Sequence, residues 1–166
     1  MGDRVAVMNN GVLQQVDEPR RLYSSPVNAF VAGFIGSPAM NLIEGKLAEG
    51  GVTIGSTVLK LPPALVTAAA ARSGDVTVGL RPEALSLNGP AGIPAVVNLV
   101  EELGSEAYIY AQLSDRPADS ITAPNDVIVR VDPDSAPQSG ATIKLHVDPE
   151  AVLLFDAQTG ARITAG

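Results

Sequence analysis

The sequence predicts a mainly β protein, a sandwich or small barrel, led in by a β-hairpin and two short helices. Three observations carry that prediction. Short apolar runs recur along the chain, and Gly, Pro, Asn or Asp separates most of them. Thirteen Pro and sixteen Gly among 166 residues supply many turns, which suits sheets better than a helical bundle. Hydrophobic residues make up 46% but aromatic ones 4%, so Val, Leu, Ile and Ala must build the core.

In chain order, residues 4–8 and 12–16 flank Asn10-Gly11. Asn and Gly tolerate the positive φ of a type I′ turn, so this reads as a hairpin. Asp17 is the expected N-cap of a helix over 18–23, with Pro19 in its first turn. Residues 24–26 break it. A second helix is expected from Pro26, with Ser25 as its cap. Phe30, Val31, Phe34 and Ile35 form its apolar face, and Gly36 and Pro38 end it. An isolated hairpin is marginal in water. Residues 1–37 therefore read as the incomplete tail of a larger domain, and 38–166 as a separate β domain. In the latter, strands are expected over 42–47, 52–54, 57–61, 76–80, 95–103, 107–113, 127–131, 142–147 and 152–155. Ile143, Leu145 and Val147 alternate with Thr142, Lys144 and His146, which places the first set inward. Val127, Val129 and Val131 alternate in the same way. One helix interrupts the strands over 63–72, where four alanines raise helix propensity. The polar segment 114–126 reads as a long surface loop.

Composition also excludes functions. A net charge of −7 argues against a nucleic-acid or anionic-membrane partner, since either needs clustered Lys and Arg. The absence of cysteine excludes disulfides, Cys-ligated zinc and thiol catalysis, and fits a reducing compartment. No apolar run approaches the roughly 20 residues that span a bilayer. Asp3 and Arg4 stand where the apolar core of a signal peptide would begin.

Candidate chemistry is sparse. No Gly-x4-Gly-Lys-Ser/Thr loop is present to cradle phosphate. Val16-Asp17-Glu18 has the acidic ending of a nucleotide-site strand, but Gln14 and Gln15 interrupt the apolar run, and a helix cap explains Asp17 better. His146, the sole histidine, falls on the outer face of a strand with no Ser or Cys partner to activate. Glu101, Glu102 and Glu106 flank a hairpin turn and read as a solvated end rather than an acid–base pair. Asp132-Pro133-Asp134 and Asp148-Pro149-Glu150 read as turns rather than cation ligands. Gly79-Leu80-Arg81-Pro82-Glu83 is the most unusual polar cluster. Arg81 either clamps the strand end with Glu83 or contacts a partner subunit, and one Arg can do both.

At these residues a family resemblance emerges. GDRVAVMNNGVLQQVDEP, then LY, then NAFVAGFIGSPAMNL, resembles the end of the ATPase subunit of maltose-type carbohydrate ABC importers. VTVGLRPEALSL, VVNLVEELGSEAYIYAQL and VLLFDAQTGARI resemble, in order, segments of that family's C-terminal regulatory domain. The resemblance implies an OB-like (TOBE- or MOP-like) β-barrel over 38–166, preceded by the hairpin and two helices that close an ABC nucleotide-binding domain. It implies a regulatory and dimerisation role in the uptake of a sugar or sugar phosphate. The phosphate loop, signature motif and Walker B carboxylates of such subunits have no counterpart here, so ATP hydrolysis is not expected of this chain. ATP and Mg²⁺ would belong to the full-length parent and no cofactor to this chain. Expected partners are a second copy through the regulatory domain, permease subunits through the ATPase body, and a regulatory protein or ligand, at the cytoplasmic face of the membrane. Arg81, Glu83, Glu102, Gly104 and Ser105 are the expected dimer or partner contacts. Phe30, Phe34 and Ile35 are expected to pack on the ATPase body. The competing expectation is a free-standing OB-like domain that senses a sugar or oxyanion.

Overall fold

The computed structural model describes residues 3–72, 74–87, 89, 92–115 and 126–165. Strands β1 (Val5–Asn9) and β2 (Val12–Asp17) form the first hairpin. Asn10 and Gly11 turn it with φ of 48° and 80°, as their side chains allow. Helices α1 (Pro19–Ser24) and α2 (Ala29–Phe34) follow. The cap of α2 is Asn28, whose side chain accepts from the Val31 N–H, and not Ser25. The reason is tertiary. Val27 and Asn28 stay extended because they pair with Ala161 and Arg162 near the C-terminus, so the helix cannot begin at Pro26.

The remaining strands are β3 (Asn41–Ala48), β4 (Gly51–Ile54), β5 (Thr57–Lys60), β6 (Asp75–Leu80), β7 (Leu85–Ser86), β8 (Ile93–Glu102), β9 (Ala107–Leu113), β10 (Asp126–Val131), β11 (Thr142–Val147), β12 (Leu153–Asp156) and β13 (Arg162–Ile163). They form two antiparallel sheets. One runs β13-β12-β6-β3-β4-β5 and the other β10-β9-β8-β11-β7. The sheets curl around a single core into a nearly closed barrel, an OB-like arrangement. Helix α3 (Pro63–Ala70) plugs it with Leu65 and Ala69. Alternation along β11 holds, with Leu145 and Val147 buried and Thr142, Lys144 and His146 exposed.

Asn41 closes the seam between the sheets. Its Nδ2 donates to the carbonyl of Ile128 at 2.8 Å, and its Oδ1 accepts from the Ile128 N–H at 2.7 Å. A side-chain amide thus takes the place of a backbone partner for the edge of β10, and also donates to Leu80 at 3.1 Å.

Contacts cross residue 37. Ala32 on α2 packs with Met40 and with Phe155 on β12. Most of the loop expected over 114–126 lies outside the described residues. No helix among the described residues is long and apolar enough to cross a membrane.

Candidate interaction site at the helix–barrel junction

The most concentrated polar structure lies where α1 and α2 meet the end of β6. Arg81 follows β6 directly and is 7% exposed. Its Nη2 donates to the Tyr23 carbonyl at 2.7 Å, and its Nη1 to those of Ile35 at 2.7 Å and Ala32 at 3.3 Å. The guanidinium lies 3.8 Å from the centre of the Tyr23 ring. The Tyr23 hydroxyl in turn donates to the Glu83 carboxylate. Burial first, and then this bond, push the Tyr23 hydroxyl up to about 12, so it stays a donor at any physiological pH. Burial also lowers the Arg81 pKa. Arg remains charged, because its ordinary value is so high. Gly36, at φ 124°, lets the chain pass here. A Cβ on it would stand 3.1 Å from Arg81 Nη1 and 3.3 Å from the Tyr23 ring.

The expected partner contacts therefore divide. Arg81 is turned inward and its Nη donors are taken by its own chain, so it offers almost no surface. Glu83 is exposed and bound to Tyr23 rather than serving only as a local clamp. Glu102, Gly104 and Ser105 are exposed at the β8–β9 tip, far along the hairpin, where Gly104 turns with φ 86°. Leu99 and Leu103 beside them are each 56% exposed. The other tip carboxylates are engaged. Glu101 accepts from the Tyr110 hydroxyl at 3.1 Å, and Glu106 pairs with Arg130 at 3.2 Å. The Asp-Pro segments are turns. Asp132 and Asp148 each accept from the N–H two residues on.

The expected apolar face of α2 is split. Val31 is fully buried against Val7 and Leu22, and Ile35 packs on that cluster. Phe30 and Phe34 point away, 37% and 65% exposed, with their rings stacked 5.9 Å apart. Met8, Val12, Leu13 and Val27 of the same N-terminal segment are also exposed. Sequence reasoning missed Tyr23 and Asn41. Their partners lie 39 to 87 residues away, and no local pattern marks them.

A cleft of about 800 Å³ opens between β3, β4 and the end of β9. Its apolar lining residues Ile43, Ile54, Val76, Ile93 and Leu113 are at most 6% exposed and belong to the core.

Comparison with known proteins bears on this arrangement. Residues 36–85 match the family described as the MalK OB fold domain, and residues 78–155 match the TOBE domain. The chain is 42% identical to the diacetylchitobiose uptake system ATP-binding protein MsiK of Streptomyces coelicolor, over 99% of this chain and 47% of that protein. It is 36% identical to the trehalose import ATP-binding protein SugC of Mycobacterium tuberculosis, over 99% of this chain and 48% of the relative. It is 37% identical to the sn-glycerol-3-phosphate import ATP-binding protein UgpC of Paracoccus denitrificans, over 98% and 43%. The chain thus spans about half the length of the curated relatives it matches. With the two domains matched in order and ATP-binding proteins of uptake systems matched along nearly all its residues, the chain belongs with the ABC importer ATP-binding subunits that carry MalK OB fold and TOBE domains, and corresponds to their C-terminal part.

Proposed function

We propose that this chain is the regulatory and dimerisation region of the ATP-binding subunit of a sugar or sugar-phosphate ABC importer. On this reading residues 1–37 end the ATPase domain and residues 38–166 form the regulatory domain. The observation that carries the reading is the pairing of a nearly closed barrel, with a core of its own, with an N-terminal unit that leaves Phe30, Phe34, Val12 and Leu13 uncovered. Exposed apolar side chains of that kind are suited to burial against an ATPase body, which in turn would meet the permease at the cytoplasmic face of the membrane. ATP and Mg²⁺ would be held by that body. No phosphate-cradling loop stands in these 166 residues, so the chain binds and organises rather than hydrolyses. The β8–β9 tip, with exposed Leu99, Leu103, Glu102, Gly104 and Ser105, is the part of the barrel that would meet a second copy or a regulatory protein.

Light scattering over a concentration series tests the pairing. A mass that doubles with concentration, and returns to the monomer in Leu99→Lys, is expected. A strict monomer at every concentration would count against pairing through this region.

A further inference from the structure

Three turns of the barrel share one local design. Each leaves a strand through a residue followed by Pro, an acid and a small residue: Arg81-Pro82-Glu83-Ala84, Asp132-Pro133-Asp134-Ser135 and Asp148-Pro149-Glu150-Ala151. Each forms a single 3₁₀ turn. In the second and third, the leading Asp caps its own turn by accepting from the N–H two residues on. In the first, Arg stands in that place and makes no cap. The turn gives up a local hydrogen bond, and the side chain is free to reach elsewhere.

We infer that Arg81 is a buried latch that makes the hairpin–helix unit and the barrel one mechanical body. Its Nη1 and Nη2 hold carbonyls in the last turns of both α1 and α2, at Tyr23, Ala32 and Ile35. Carbonyls at helix ends lack intrahelical donors, and a cation is favoured beside them. A planar fork serves several acceptors and stacks on Tyr23 at once, which an ammonium cannot do. A Cβ at Gly36 would crowd this approach. The seam is finished by Phe155 and Met40 against Ala32, and by the bridge from Asn28 to Ala161. Displacement of the helices is thereby passed to the barrel through packed and bonded groups rather than through a flexible linker. Such a latch operates whether or not the chain pairs with a copy or meets a permease. In an importer subunit it would carry movement of the ATPase body into the regulatory domain.

Hydrogen–deuterium exchange on the 166-residue chain and its Arg81→Met variant tests this. Amides of residues 19–35 are expected to lose about 100-fold of their protection, while those of β8 and β9 keep theirs. Equal loss in every element would show an ordinary global stabiliser and overturn the latch, as would unchanged protection. Should Arg81→Met not fold, Arg81→Lys decides. Its ammonium keeps the charge but not the fork, so the same selective loss is expected at about tenfold. Even or absent loss in that variant overturns the inference equally.

Discussion

The barrel buries one contiguous core that runs from Ile43 to Ile163 and draws on both sheets and α3. The hairpin and helices before it bury Val7, Leu22 and Val31 against one another, with Ile35 alongside. That unit also leaves Val12, Leu13 and Phe34 more than half exposed, at 62%, 54% and 65%. Burial of apolar area is the main source of folding stability, so the two regions stand on different footings. The barrel has the makings of an independent fold. The unit before it is held from outside, by Arg81, by the contact of Ala32 with Phe155, and by the pairing of Val27, Asn28 and Ala29 with residues 160–162. An element with little core of its own takes its order from what it leans on.

The largest effect is expected where the two regions share a side chain. Phe155 is fully buried at their seam, in one cluster with Ala32 and Met40. Phe155→Ala is expected to cost about 3–5 kcal/mol, from lost burial plus the cavity left behind. Urea unfolding followed by far-UV circular dichroism measures it. A loss below about 1 kcal/mol would mean the seam collapses freely and the two regions are less dependent than their contacts suggest.

Next comes a change confined to the barrel. Asn41→Leu keeps approximate size but leaves the N–H and C=O of Ile128 without their side-chain partner. The expected cost is about 1–3 kcal/mol, the penalty for stranding backbone groups. Exchange of the Ile128 amide should rise ahead of that in β6, because β10 is an edge strand in its sheet. Uniform exchange across both strands would remove Asn41 as the closing element.

A smaller effect separates the regions by pH. Asp156 accepts from the Thr159 N–H, the Thr159 hydroxyl and the Gln158 N–H in the β12–β13 turn. The Thr159 backbone bond, followed by the hydroxyl bond, holds its carboxyl below the usual range. The folded value lies below the unfolded one, so the stabilisation is present above the ordinary Asp value of about 3.9 and is lost as pH falls through the folded pKa. The turn carries Gly160 and Ala161, which hydrogen-bond to Ala29 and bridge to Asn28. Acid should therefore loosen the start of α2 through its anchor. Asp156→Asn is expected to flatten the acid limb of a stability–pH profile, and an unchanged limb would assign it to other carboxylates.

How much of this was legible in the sequence follows the same division. The strand alternation, the Asn10-Gly11 hairpin and the Asp-Pro turns are local devices, so side-chain type and spacing reveal them. Strand β7, two residues long and paired with His146 and Val147, carries no period of its own. The start of α2 was misplaced because Val27 and Asn28 answer to Ala161 and Arg162, not to Pro26. Arg81 stood out as unusual, yet its targets are 46 to 58 residues upstream, beyond any local rule. One trace was available. Among three like turns, it alone has Arg where the others have a capping Asp, and a locally unexplained residue is a sign of a distant partner.

The smallest effect on stability is expected on the exposed face of the unit. Phe34 is 65% exposed and its ring lies on Phe30, so Phe34→Ser removes little buried area. Stability should change by within about 0.5 kcal/mol. Solubility is the property that should move, because Phe34, Phe30, Val12 and Leu13 are apolar groups that water must otherwise cover. Static light scattering at rising concentration is expected to show less self-association in the variant than in the parent. Deleting residues 1–37 should improve solubility further, if the barrel is the part that stands by itself. A truncated chain that unfolds would reverse the comparison, since the barrel would then lean on the helices as much as they lean on it.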